Sequence, residues 1–451
     1  MEDRHASLSS FFLLALFSFI LSYSCSTAYS NTALVAPIAY DPSTSLYSVS
    51  PLGGPPFDRP LLLNLDSSNL WRDCMHPLLR SPPLEPVLYH SAICKSAKVQ
   101  SALISGDPGY IFGCSGAPTP VCSNFSCSVY ASASLRTSPS AVLWTDTISL
   151  LSVNGSVPGK LIRVPKFAFA CSDDILLNSD AAVPANAVGA AGLSRALLAL
   201  PKQLAAKLRM KRRFAYCLPL SVVAGRGALF FGQTPYIFPP GGDFSNRFQY
   251  TPLLNNPQEP DSYFIGVESI FVNKVKLPIN ASLLQLRKDP NIIFNNKMGI
   301  VGGTSISSTL RYTRLESSIY DALAREFSSS AAAIGIQAVG AVGAFETCFN
   351  KSTVTVGKGG FRIPVIAFSL QGSNGPMWEI KNHNTVEFVE KFICLAFQRA
   401  DQFQPRSIVL GTFQQQDCLL QFDLDGSRFG VVPNLSSSWS GCSNFKFGST
   451  T

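Results

Sequence analysis

The stretch Leu61 to His76, LLLNLDSSNLWRDCMH, has a counterpart in the second half of the chain, and this recurrence constrains the fold more than any other feature. Three leucines run into a polar turn that closes on Leu70-Trp71, and Gly299 to Thr309, GIVGGTSISST, repeats that plan. Each stretch is followed at a distance by an apolar segment ending in glycine, Val188-Gly189 in one half and Ile408-Val409-Leu410-Gly411 in the other. A chain of 451 residues also exceeds the size at which one core stops growing. Two lobes of one design are therefore expected, at 29-225 and 226-451, joined near 219-260.

The lobes are expected to be all-β with a few short helices. Charged residues make up only 14% of the chain, against roughly 25% in an average soluble domain. The 32 glycines and 31 prolines favour short strands and turns, with Asp41-Pro42 and Gly53-Gly54-Pro55-Pro56 as turn signals. Strand-like runs cover 141-153 and 161-171. Two segments read as helices. Pro201 to Arg213 opens on a proline suited to a first turn. A second opens with capping-box spacing at Thr313 to Glu316 and carries Ile319, Leu323 and Phe327 on one face.

Phe11 to Leu21, FFLLALFSFIL, has the length of a secretory apolar region, with small residues allowing cleavage near Ser26-Thr27-Ala28. Residues 1-28 are thus expected to be a signal peptide, although Glu2-Asp3-Arg4 lacks the usual positive charge. No later apolar run is long enough to anchor the chain in a membrane. Five sequons, at Asn124, Asn154, Asn280, Asn350 and Asn434, fit an extracellular glycoprotein.

Cleavage would remove Cys25 from the 12 cysteines, leaving an odd number: Cys74, Cys94, Cys114, Cys122, Cys127, Cys171, Cys217, Cys348, Cys394, Cys418 and Cys442. One thiol must then stay unpaired. Zinc is a poor alternative, since Cys114, Cys122 and Cys127 have no neighbouring histidine and no CxxC spacing. No metal or cofactor is expected. A net charge of +8 draws such a protein towards polyanionic polysaccharide and acidic enzymes. Nucleic acid is not an expected partner, because the densest basic run, Lys207 to Arg213, reads as a solvated helix face.

Together these residues resemble the pepsin-like aspartic proteinases, and more closely their plant branch of secreted, proteolytically silent members: xylanase inhibitors, xyloglucanase-inhibiting dermal glycoproteins and basic seed globulins. The resemblance spans nearly the whole mature chain. Its most specific parts are Gly302-Gly303-Thr304-Ser305-Ile306-Ser307 leading to Tyr320, Lys211 to Cys217, Leu419 to Leu424, and Cys442 to Phe445.

In active relatives each lobe offers an aspartate at a turn, the first standing seven residues before a tryptophan. Counting back from Trp71 places Asn64 there, and counting back from Leu315 and Tyr320 places Ser307 at the other position. The resemblance therefore implies no catalytic residue. Aspartic proteolysis needs two carboxyls about 3 Å apart sharing a proton, which a carboxamide and an alcohol cannot do. Asp66 would be displaced by roughly 6 to 7 Å along an extended chain and reads as a turn acid bonding its local backbone. His76, His90 and His383 stand in no catalytic motif. The flap of active relatives is glycine-rich, yet no glycine occurs here between Gly116 and Gly155, which implies an altered or shortened flap around Cys127 to Ser134 and Leu143 to Thr147, with Trp144 near it.

Twelve cysteines in six bridges are typical of the inhibitor-like branch. Here Val99 and Ile111 stand where two are expected, and Cys418 is extra. The resemblance thus implies five bridges among Cys74, Cys94, Cys114, Cys122, Cys127, Cys171, Cys217, Cys348, Cys394 and Cys442, with Cys418 a buried free thiol and the pairing left open. Inhibitory relatives insert a basic or imidazole residue, four positions before the last cysteine, into a glycanase cleft. Ser438 holds that position, followed by Trp439, and a lone hydroxyl lacks the charge-assisted bond to a carboxylate. The leading expectation is a non-catalytic protein of the apoplast or cell wall that binds, and in some cases inhibits, a glycoside hydrolase in plant defence. A storage or peptide-binding globulin and an active endopeptidase are the alternatives, and oligomeric state is left open.

Overall fold

The structure, a computed structural model, describes residues 32–49, 59–74, 85–88, 90–97, 127–133, 136–172, 183–294, 297–357, 360–373, 375–401 and 404–447. The expected leader at 1-28, Asn124, Cys114 and Cys122 lie outside them. Among the described residues strands dominate and helices are short, so the chain is all-β. None of these helices is long and apolar enough to cross a membrane.

The two halves meet in six antiparallel strands, in the order Leu34–Asp41, Gly227–Phe231, Arg213–Cys217, Leu419–Asp423, Arg428–Val432 and Gln249–Leu254. Successive side chains of a strand point to opposite faces. Accordingly Phe214, Tyr216, Leu420 and Phe422 enter one apolar cluster while Ala215, Cys217 and Leu419 enter another. Cross-strand partners Phe214 and Phe422 stack with ring centroids 4.6 Å apart. The middle ladder takes one strand from each half, so the junction is hydrogen-bonded sheet. By pairing, Gly227–Phe231 stands beside the first-half strands Leu34–Asp41 and Arg213–Cys217.

The recurrence seen in the sequence is a recurrence of register. In the first half Leu61–Asn64 runs parallel to Gly189–Gly192, and Trp71–Asp73 pairs antiparallel with the same strand. In the second, Thr304–Ile306 runs parallel to Ile408–Leu410, and Thr313–Leu315 pairs antiparallel with it. Equating Trp71 opposite Ala190 with Arg314 opposite Val409 equates Leu63 with Ile306, both one residue short of the turn. Gly192 and Gly411 close the two arrangements because the returning turn passes directly over them. A Cβ on Gly192 would lie 2.1 Å from the Asn69 carbonyl oxygen, and one on Gly411 would lie 2.5 Å from that of Arg311.

Both expected helices form with shifted ends. The first spans Leu200–Leu208 and stops at Arg209, whose left-handed φ of 51° lets its N–H reach the Ala205 carbonyl. Lys211 and Arg212 therefore lie beyond it and Arg213 opens a strand, so the basic run is not one helix face. The second spans Ser317–Ala332, and its cap is Glu316, whose carboxylate accepts from the N–H groups of Ser318 and Ile319. Thr313 belongs to the preceding strand, where it bonds Gln414.

Among the described residues four disulfides join Cys74 to Cys171, Cys94 to Cys127, Cys217 to Cys442 and Cys348 to Cys394. Cys418 is free and buried. Burial pushes its thiol up to about 12.

On the central ladder Asp423 is buried and accepts from Arg213 at 2.6 Å, Arg428 at 3.1 Å and the Gly426 N–H at 3.1 Å. Burial alone would raise its pKa, but these donors hold it below the ordinary value. A lowered folded pKa gives stability that is full above 3.8 and lost as pH falls through the folded value. Asp423→Asn is expected to cost about 2 to 3 kcal/mol at pH 7, because it breaks a largely buried pair. The gap from wild type should narrow in urea titrations below pH 3.8.

Candidate functional site

The strand Leu61–Asn64 ends in a turn, and Asn64 is buried at its mouth. Its Oδ1 accepts from the N–H groups of Asp66 at 2.9 Å and Ser67 at 3.2 Å, which fixes the orientation of the amide. Opposite stands the turn after Thr304–Ile306. Ser307 Oγ accepts from the Thr309 N–H at 3.2 Å, and the Ser307 carbonyl accepts from Gln415 Nε2 at 2.7 Å. Gln415 is held in turn by the Tyr216 hydroxyl at 2.5 Å.

The adjacent residue brings the two turns face to face. Ser308 Oγ accepts from the Leu65 N–H at 2.9 Å and donates to the Leu63 carbonyl at 2.8 Å. The clasp is one-sided, since Leu65, the residue corresponding to Ser308 in the repeat, has no hydroxyl to return it. Asn64 and Ser307 are thus the equivalent residues of the two clasped turns, one a carboxamide and the other an alcohol.

A hairpin packs over Asn64. Ser128–Ala133 pairs antiparallel with the strand that begins at Arg136, ending with Ala133 opposite Arg136 after a register shift between Val129 and Ala131. The flap segment is therefore an antiparallel strand pair whose described residues contain no glycine. It is also bonded down. The Ser132 carbonyl accepts from Trp71 Nε1 at 2.6 Å and from Asn64 Nδ2 at 3.3 Å, while the Tyr130 carbonyl accepts from Asn69 Nδ2 at 2.8 Å. A carboxylate at position 64 could not donate to Ser132, so the amide is what suits this contact. Trp144, on the outgoing strand, is half-buried against the main core.

Asp66 does not bond its local backbone, contrary to the expectation from its place in the turn. Its Oδ1 accepts from Ser262 Oγ at 2.9 Å, and Ser262 is also reached by Arg406 at 3.3 Å. Arg406 is paired with Glu259. Burial lowers the pKa of the Arg406 guanidinium, and Asp66 opposes that shift. Its partners are recruited from distant sequence, which local turn chemistry could not reveal.

The second candidate region is the loop after Arg428–Val432. Trp439 is 88% exposed and has a left-handed φ of 57°. The loop beneath it is rigidly built. Asp417 accepts from the Ser436 N–H at 2.9 Å, Ser440 Oγ donates to the Phe238 carbonyl at 2.9 Å, and Cys442 is bridged to Cys217. Ser438 Oγ accepts from Arg247 at 2.9 Å, and that guanidinium lies 4.5 Å from the centroid of Phe244. A cation therefore stands beside Ser438, supplied by a segment far away in sequence.

The remaining candidates separate by exposure. Asn154 and Asn280 are exposed and Asn350 is half-buried. Asn280 and Asn350 each use Oδ1 to accept from the serine N–H two residues on. Asn434 is buried and donates through Nδ2 to the Glu379 carbonyl at 3.1 Å, and its burial leaves little room for a glycan. His383 is largely buried and its pKa is lowered by burial, against the pull of Asp417. Burial likewise raises Asp417, countered by the Ser436 and Cys442 N–H groups.

This geometry is that of a bilobal, aspartic-proteinase-like protein. The family descriptions Xylanase inhibitor N-terminal and Xylanase inhibitor C-terminal match residues 47–233 and 262–432. Among curated proteins, "Probable aspartic proteinase GIP2" of Nicotiana benthamiana is 34% identical, over 93% of each chain. "Gamma conglutin 1" of Prunus dulcis is 30% identical, over 93% of this chain and 90% of that one. The solved structure "Crystal structure of edgp" has a TM-score of 0.81 and 30% identity, covering 94% of this chain and all of the other. The chain belongs to the xylanase-inhibitor-like family.

Two measurements probe the site. Asn64→Asp is expected to destabilise the fold by about 1 to 3 kcal/mol at neutral pH, since it removes a donor and buries a charge against a carbonyl. Amide exchange in 128–142 should accelerate more than elsewhere. For His383, a lowered folded pKa means stability is lost as pH falls below 6.5 towards the folded value. His383→Gln should flatten that decline in thermal melts taken from pH 7 to 5.

Proposed function

We propose that the protein is a secreted, non-catalytic member of this family that binds a cell-wall-degrading glycoside hydrolase. Asn64 and Ser307 are read as the two positions that hold aspartates in active relatives. Neither a carboxamide nor a hydroxyl without an adjacent base can share a proton as a carboxyl pair does, and general acid-base help is worth roughly 10² to 10⁴ in rate per group. The bonded hairpin also argues against a peptide lying over Asn64.

The observation that carries the partner reading is Trp439, exposed on a braced loop beside Arg247. Rigid aromatic anchors with a neighbouring arginine are the residue types that dominate binding energy at protein interfaces. Arg247 supplies the cation that Ser438 lacks, so a carboxylate-lined cleft is a suitable target. The disulfides fit an oxidising, extracellular compartment. Asn154, Asn280 and Asn350 are the proposed glycan acceptors among the described residues.

Calorimetry or biolayer interferometry against a panel of microbial xylanases and xyloglucanases tests this reading. At least one enzyme should bind with micromolar or tighter affinity, and Trp439→Ala should weaken it about 30-fold or more, the loss of a hot-spot anchor. Absence of any binder would instead favour a storage or peptide-binding globulin. In an acid-pH assay on denatured haemoglobin, no pepstatin-sensitive cleavage is expected.

A further inference from the structure

The four-stranded sheet of the second half, in the order Val275–Lys276, Val267–Val272, Ile366–Leu370 and Met377–Ile380, has one face in the core. Ile270, Phe368 and Trp378 line that face, as do Val272, Ile366 and Ile380. Alternation should make the other face polar. Instead Phe271, Ala367, Val365 and Met377 line a half-open groove of about 650 Å³ there, together with Asn273, Lys274, Glu379 and Lys381. Lys381 is paired with Glu379 at 2.5 Å, which leaves the Lys274 ammonium as the uncompensated charge of the lining.

The turn that carries Lys274 is costly to build. Val272 pairs with Val275, so Asn273 and Lys274 form a two-residue connection in which both φ values are positive, 45° and 71°. This geometry favours glycine at the second position. Asn273 fits its place, accepting from the Val365 N–H through Oδ1 at 3.0 Å. A lysine in the second position strains the backbone and has no such local bond to repay it. Strain of this kind concentrates at functional sites.

We propose that this groove binds a small amphipathic anion, an aryl or alkyl carboxylate or sulfonate. Its apolar body rests on Phe271, Val365, Ala367 and Met377, and its acid group meets the Lys274 ammonium. The volume lies within the usual range for small-molecule sites, about 300 to 1,000 Å³, and the lining combines an apolar floor with few charged groups as such sites do. The site is independent of the Trp439 loop and of the hydrolase reading.

The test uses the full-length glycoprotein with two fluorescent probes, anilinonaphthalene sulfonate and the uncharged N-phenylnaphthylamine. Lys274→Gly removes the charge and relieves the turn, so the variant should melt no lower than wild type while losing affinity for the anionic probe about tenfold, the worth of one charge-assisted contact. Binding of the neutral probe should change little. Met377→Glu places a carboxylate on the floor and should abolish binding of the anionic probe. Unchanged affinity for the sulfonate in both variants, or equal losses for the two probes in Lys274→Gly, would overturn the proposal.

Discussion

Everything at the centre of this molecule is arranged around one hydroxyl. Ser308 spans from the second half of the chain to the first, accepting from Leu65 and donating to Leu63, and so holds two turns together that are otherwise parts of separate strand arrangements. The bond pair is buried, where leaving either backbone group unmet would cost about 1 to 3 kcal/mol. With the turns held there, Asn64 and Ser307 stand at equivalent places on the two clasped turns, and the close approach over Gly192 and Gly411 leaves no room for a Cβ. The six-stranded ladder does the same work at larger scale, one strand from each half sharing Phe214 against Phe422.

With both turns kept rigid, the interest lies in what meets Asn64. A carboxylate pair would leave an open space for water and substrate. A carboxamide instead donates to the Ser132 carbonyl, and Trp71 donates to the same oxygen. The hairpin becomes part of the packed structure and the cleft a scaffold. Trp439 stands exposed on a different loop, braced by Asp417, Ser440 and the Cys217 bridge, with Arg247 exposed and bonded to its Ser438.

Much of this was legible in the sequence because strand-turn-strand repeats leave a residue pattern. The all-β class followed from sparse charge and frequent turn residues, and Asn64 and Ser307 could be paired by counting from Trp71 and Tyr320. What escaped reading was carried by backbone or by distance. Ser132 acts through its carbonyl, which every residue possesses, so no side-chain signal marks the hairpin contact. Ser262 and Arg247 meet Asp66 and Ser438 only after long loops close. The first helix was overextended because its stop is a left-handed Arg209, a conformation that sequence ordinarily signals with glycine.

Cys418 gives the fold a built-in clock. Its sulfur is sealed in the main core, and burial holds its proton on so firmly that almost none exists as thiolate near neutrality. A soluble alkylating reagent can reach it only when the core parts, since its side chain is buried. The pace of modification at Cys418 therefore reads out how often the core around it opens, with no engineered label and no perturbation of the surface.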